Sequence, residues 1–245
     1  MSPQASDAVL SVDAVAKRFG GVVALAGVSF ACARGSIVGL IGPNGSGKTT
    51  LLNTINGVYA PDGGDIRING ATILGRRPSE LAGAGVSRTF QTARVFETLT
   101  VRQNLFIPLL HHGAVARAAA ARRADELLAF VGLADFADHT ASELSGGQQR
   151  LLEFARALVT EPCLVLMDEP FAGVHPTVKG QLIRCIRDTV ARERTSFVIV
   201  SHEVPDLVAM ADFMLCLVEG RVAAAGAPVA VVRDETVVEG YLGRG

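Results

Sequence analysis

The sequence predicts an α/β fold: a mainly parallel sheet core, an antiparallel β portion near the N-terminus, and an inserted helical segment. Three observations carry this. Short, almost wholly apolar runs recur at residues 37–41, 163–167 and 197–200, as expected of strands buried on both faces beneath helices. Alternating segments at 28–33 and 65–69 lie between the turn signals Gly20-Gly21, Pro61-Asp62-Gly63-Gly64 and Asn69-Gly70, which reads as antiparallel strands. Residues 114–131 are rich in Ala, Arg and Leu and hold no Gly or Pro, a strong helix former.

A further helix is predicted from about Ser145. It carries Leu151, Phe154, Ala155 and Leu158 at helical spacing and stops before Pro162. The middle third, about 92–160, is therefore expected to be helical. There is no internal repeat or low-complexity linker.

Composition bounds the function. The 245 residues are 49% hydrophobic, 5% aromatic and 19% charged, without Trp, and the mean hydropathy of +0.35 is high. A membrane span is nevertheless not expected, because the longest uncharged stretch, 19–33, is interrupted by Gly20, Gly21, Gly27 and Ser29 and is shorter than the roughly 20 residues a bilayer needs. With 23 basic against 24 acidic residues there is no global field for nucleic acid or anionic lipid. Cys32, Cys163, Cys185 and Cys216 are widely spaced without a Cys-x-x-Cys pair, so they read as reduced structural residues. The N-terminus lacks a basic start and apolar h-region, and a cytosolic compartment is expected.

The sharpest chemical signal is Gly42-Pro43-Asn44-Gly45-Ser46-Gly47-Lys48-Thr49, a G-x-x-x-x-G-K-T phosphate loop directly after the apolar run ending at Ile41. Glycines let successive backbone N–H groups turn inward around an anion. Lys48 would meet the β- and γ-phosphates of a nucleotide, Thr49 would ligate Mg²⁺, and the helix opening at this point, with Thr50 in its first turn, would add its dipole. At average amino-acid frequencies a chance match in a chain this long arises at on the order of one per cent.

Two other apolar runs end in polar groups. Asp168 and Glu169 follow the run at 163–167, and ligands gather at the carboxyl ends of parallel strands. Asp168 is placed to hold Mg²⁺ and Glu169 to polarise an attacking water. An Asp-Glu pair at a solvated strand end is the alternative. The third run leads into Ser201-His202-Glu203, where His202 is placed to donate to charge on a γ-phosphate or is a structural histidine. Finally, Leu144-Ser145-Gly146-Gly147-Gln148 opens the amphipathic helix, giving a second anion-binding helix terminus in one chain.

These motifs, in this order, resemble the ATP-binding cassette (ABC) family over nearly the whole chain. The resemblance implies a RecA-like P-loop NTPase core and one ATPase domain over 1–245. Within it lie an antiparallel β-subdomain (8–75) interleaved with the phosphate loop, a helical subdomain (88–158), and a core portion (159–245). It further implies hydrolysis of ATP with Mg²⁺, and head-to-tail pairing of two cassettes, so that Ser145, Gly146, Gly147 and Gln148 meet the ATP of the opposite chain. Phe19 matches the aromatic that stacks on adenine, with a core Phe as the alternative. Gln91 matches the Q-loop residue that contacts Mg²⁺ and water. Asp168, Glu169 and His202 match the second acidic motif and the switch histidine. One departure stands out: the family usually has an Asp before the D-loop Pro, where this chain has His175 before Pro176. This puts communication between paired sites in doubt and suggests a dimer contact sensitive to pH near 6–7.

The stretches 85–91, 99–105 and 237–243 resemble the branched-chain amino-acid importer group. Residues 169–174 equally resemble lipopolysaccharide-export ATPases, and urea or amide importers share the Arg-x-Phe-Gln style of Q-loop. A soluble non-transport ATPase is the alternative from another class. The importer reading implies a second cassette, like or unlike this one, two polytopic membrane subunits, a solute-binding protein, no nucleic acid, and a cytoplasmic position peripheral to the inner face of the membrane. A groove for a coupling helix is expected within about 88–140. Apolar surface near Phe90, Val95, Phe96, Leu99 and Leu105 is expected to cover the membrane partner.

Overall fold

The structure, a computed structural model, describes residues 8–89, 94–109, 114–241 and 243, the side chains of 114–120 excepted. Strands β1 (Ala8–Phe19) and β2 (Val22–Ala33) form a long hairpin, and β3 (Ile37–Ile41) runs through the phosphate loop into α1 (Lys48–Ile55). Then come β4 (Gly63–Ile68), β5 (Ala71–Thr72), α2 (Pro78–Gly83) and β6 (Val86–Thr89). The helical portion contains α3 (Val101–Phe106), α4 (Ala114–Phe130) and α5 (Gly146–Leu158). The chain returns to the core with β7 (Leu164–Asp168), α6 (Pro176–Glu193), β8 (Ser196–Val200), α7 (Val204–Met210) and β9 (Phe213–Val218). It ends with β10 (Arg221–Gly226), α8 (Pro228–Val231) and α9 (Glu235–Gly240).

Two sheets result. One is antiparallel in the order β2-β1-β4-β5, and the other runs β10-β9-β3-β8-β7-β6. In the second every pairing is parallel except β10 with β9. Its three central strands are the three apolar runs, and their residues alternate between two cores. Val38, Leu40, Leu164, Leu166, Val198 and Val200 face the antiparallel sheet and α1. Ile37, Ile41, Val165, Met167, Phe197 and Ile199 face the helical side, where Phe154 stacks on Phe197 at 6.3 Å. A period of two with apolar side chains on both faces explains the lack of polar alternation. Each fully buried side chain contributes roughly 1.5–3 kcal/mol.

Two corrections follow. Arg88 and Thr89, expected at the start of the helical segment, instead end β6 and pair with Leu166 and Met167. Leu105, expected on the surface, is fully buried, and Val95 packs partly buried against the same core, so of the residues named for a partner-covering patch Phe96, 46% exposed, is the clear surface residue. Phe90 and Gln91 lie outside the described residues. The four cysteines are free. Among the described residues, no helix is long and apolar enough to cross a membrane.

Candidate functional site

The phosphate loop is shaped by close backbone approaches. Gly42 has φ +144°, and a Cβ there would sit 2.1 Å from the Leu217 carbonyl oxygen; Gly47 has φ +105°, and its Cβ would meet the Ala24 oxygen at 2.5 Å. Glycine is therefore required at both positions by φ and by space. The β9–β10 turn closes on the loop from outside, with the Gly220 N–H donating to Ser46 O (3.0 Å) and the Ala26 N–H to Gly220 O (2.8 Å). These bonds tie the loop to both sheets.

Lys48 opens α1 with its ammonium folded into the cradle, donating to the carbonyls of Gly42 (2.7 Å) and Pro43 (2.8 Å). Burial pulls its pKa below the ordinary lysine value, opposed by the charges of Glu169 and Asp168. One cleft is lined by Asn44, Gly45, Lys48 and Thr49 from the loop and by Asp168, Glu169 and His202 from the ends of β7 and β8. The three strands that bring these residues together, β3, β8 and β7, are adjacent in the sheet.

Asp168 and Glu169 diverge because the backbone turns between them. Glu169 has φ +49°, a left-handed conformation that a non-glycine residue adopts at a cost of order 1–3 kcal/mol and that clusters at functional sites. The Glu169 N–H still bonds Val200 O at 2.9 Å, extending the ladder one residue beyond the strand. Burial raises both carboxyl pKa values. At Asp168 the charges of Arg88 and Lys48 oppose the rise, with Arg88 Nη2 3.6 Å from Oδ2. At Glu169 the main-chain N–H of His202 donates to Oε2 at 3.1 Å. His202 Nε2 lies 3.3 Å from Glu169 Oε1, close enough for an ion pair, yet off-line, so Oε1 is buried without a hydrogen bond, as is Ser46 Oγ. Orphaned buried oxygens call for a polar ligand or water.

The donor set suits Mg²⁺. Thr49 supplies a hydroxyl and Asp168 a carboxylate, hard oxygens of the kind Mg²⁺ takes alongside substrate phosphates. No cluster of three or more His, Cys, Asp or Glu that could hold a metal ion occurs among the described residues.

Phe19 ends β1 on the surface, 43% exposed, so the alternative of a core Phe is set aside. Its ring meets Tyr59 edge-on at 5.0 Å and 74°. Lys17 bonds Asp62 (2.9 Å) and Ala60 O (2.7 Å), fixing the end of β1 against the turn that carries Tyr59. The Lys17 ammonium and the Arg18 N–H hold Asp62 below the usual carboxylate range.

Ser145 is the N-cap of α5 and forms a reciprocal capping box with Gln148 (3.3 and 2.9 Å). Gly147 allows close packing on α6, since a Cβ would touch Val178 at 3.0 Å. None of Ser145, Gly146, Gly147 and Gln148 lines the phosphate-loop cleft. His175 is the N-cap of α6, with Nδ1 accepting from the Thr177 N–H at 3.4 Å.

Sequence reasoning did not single out Arg88, Tyr59 or Tyr241. Arg88 donates to Asn53 Oδ1 (2.6 Å) on α1 and faces Asp168, bracing the loop helix against the acidic strand end. The available signal was a lone basic residue directly ahead of the predicted Q-loop.

Comparison with known proteins follows the same lines. A family model described as "ABC transporter" matches residues 25–172. The chain is 34% identical over 252 residues to the high-affinity branched-chain amino acid transport ATP-binding protein LivG of Escherichia coli (strain K12), covering 97% of this chain and 99% of that one. The ADP conformation of an ATP-binding cassette of an ABC transporter superposes with a TM-score of 0.87 at 32% identity, covering 97% of this chain and 99% of the other. A dimeric post-hydrolysis cassette bound to ADP and phosphate gives 0.79 at 26% identity, covering 89% and 98%. With a family match over more than half its length, and a relative aligned almost end to end, the chain belongs to the ABC transporter family.

Proposed function

We propose that the chain is the ATP-hydrolysing subunit of an importer for branched-chain or related amino acids. The observation that carries the catalytic part is the meeting of Lys48, Asp168, Glu169 and His202 in one cleft beneath the phosphate loop. In this reading residues 42–50 bind the phosphates, with Lys48 exchanging its loop carbonyls for β- and γ-phosphate oxygens. Phe19 stacks on adenine. Thr49, Asp168 and Gln91 would hold Mg²⁺, which when bound neutralises charge on the phosphates. Glu169 accepts the proton of the attacking water at its carboxylate, and His202 donates from Nε2 to a γ-phosphate oxygen.

The exposed N-cap at Ser145, with Gly146, Gly147 and Gln148, serves the ATP of a second cassette. The dimeric relative supports such pairing. Closure through contacts made only when both chains and ATP are present makes the split site cooperative. The helical subdomain, beginning after Thr89 and running to 158, transmits that closure. A groove of about 800 Å³ lined by Ala82, Ser87, Ile107, Pro108, Arg156 and Ala157, among others, suits a short helix of a membrane subunit. The amino-acid specificity rests on the named relative, because the cassette itself does not meet the solute. Its place would be peripheral, on the cytoplasmic face of the membrane. Reconstitution with membrane subunits and a solute-binding protein of the branched-chain importer type tests this: ATP-dependent leucine uptake is expected, abolished by Glu169→Gln. Robust ATP hydrolysis with uptake of another solute class would overturn the amino-acid part alone.

A further inference from the structure

We infer that Tyr241 is a positioning residue for the hydrolytic centre, its hydroxyl donating to Nδ1 of His202 and so fixing the imidazole as the Nε2–H tautomer. The inference rests on the reading of the cleft given above.

The Tyr241 hydroxyl lies 3.2 Å from His202 Nδ1, and the rings are tilted by 52° with centroids 6.4 Å apart. The other ring nitrogen, Nε2, is 3.3 Å from Glu169 Oε1. With Glu169 ionised, as a base must be, a bare Nε2 would set its partial negative charge 3.3 Å from the carboxylate, off-line or not. The proton of the neutral ring therefore belongs on Nε2. Nδ1 is then an acceptor only, and the hydroxyl beside it can bond solely by donating. Burial, followed by the charges of Glu169 and Cys216, raises the Tyr241 pKa, so the hydroxyl keeps its proton.

The His202 side chain is 44% exposed, so packing alone does not hold the ring. Tyr241 follows α9, whose Val237 is fully buried in the core. The Tyr241 N–H bonds Val237 O at 2.9 Å, and the Asp234 side chain caps the helix through the Thr236 N–H at 2.9 Å. Tyr241 and His202 also line a second hollow with Pro43, Asn44 and Gly45, next to the cleft, with which it shares Asn44, Gly45 and His202. The C-terminal segment thus reaches the γ-phosphate side of the cleft through one hydrogen bond. A donor oriented by a second group is a common way to pre-organise a site.

The test uses the full-length chain with nitrogen-15 histidine, resonances assigned by His202→Ala, at about pH 8.5, where an ordinary imidazole is neutral. Long-range proton–nitrogen spectra are expected to show His202 as the Nε2–H tautomer. In Tyr241→Phe they are expected to show a mixture, with kcat reduced roughly 3–10-fold, KM for ATP within about twofold, and an unchanged Tm. An Nδ1–H ring in the wild type overturns the inference, and so does a Phe variant with the wild-type tautomer and kcat. The wild-type spectrum needs no variant, so a Phe variant that fails to fold leaves the test standing. A wild-type chain without ATPase activity would overturn the reading of the cleft, while the tautomer would still decide the role of Tyr241.

Discussion

Glu169 combines a buried carboxyl with a left-handed backbone, two conditions that oppose stability at the place where the chemistry needs a directed base. Burial raises its pKa. A group raised in the folded state contributes stability that is fully present below its unfolded value and lost as pH rises through its folded value. Removing that charge should therefore stabilise the fold near neutral pH. Glu169→Gln is expected to raise Tm by about 2 °C at pH 7 and by nothing measurable near pH 4, by calorimetry. Gly42→Ala is expected to act oppositely, destabilising by more than about 3 kcal/mol in denaturant melts, because its Cβ would overlap the Leu217 carbonyl at a φ of +144°. At this scale the motifs were legible because the chemistry is local in sequence: residues 42–49, 168–169 and 145–148 each declare themselves within eight positions. Arg88, Tyr59 and Tyr241 were not, because their partners Asp168, Phe19 and His202 lie far along the chain and meet them only after folding.

At the scale of elements, α6 joins the two halves of the acidic and switch region. Its N-cap is His175, and one turn later Lys179 bridges Glu203 and Asp206 (2.5 and 2.9 Å) at the start of α7. The departure from Asp at position 175 therefore keeps a side-chain cap, since an unprotonated Nδ1 accepts the same N–H that Asp or Asn would take. His175→Asn is expected to preserve Tm, whereas His175→Ala lowers stability by roughly 0.5–2 kcal/mol, read in urea melts. The three central strands were legible from continuous apolarity. β9 carries the same signal over Phe213–Val218 and was within reach of the same reasoning. β6 was not, because Val86 is its one apolar residue beside Ser87, Arg88 and Thr89, and its identity as an edge strand comes from pairing with β7.

For the whole molecule, the mean hydropathy of +0.35 is accounted for by two cores on either side of one sheet rather than by a membrane span. The groove between α2, β6 and α5 is the surface we assign to the membrane partner, and Ala82→Trp, which projects a large ring into it, is expected to abolish co-purification with the membrane subunits while leaving basal ATP hydrolysis of the isolated chain within about twofold. Retained co-purification would place the partner elsewhere. The groove lies mostly outside the 88–140 stretch expected for it, since it joins residues 79–88 to 107–108 and 153–160, segments that meet only after folding. The central claim is that the cleft beneath the phosphate loop hydrolyses ATP with Glu169 as base. Steady-state ATP hydrolysis by wild type and Glu169→Gln, with ATP affinity measured on the same samples, tests it directly: turnover should fall by roughly 10²–10⁴-fold with affinity retained, and a variant that hydrolyses ATP at the wild-type rate would contradict it.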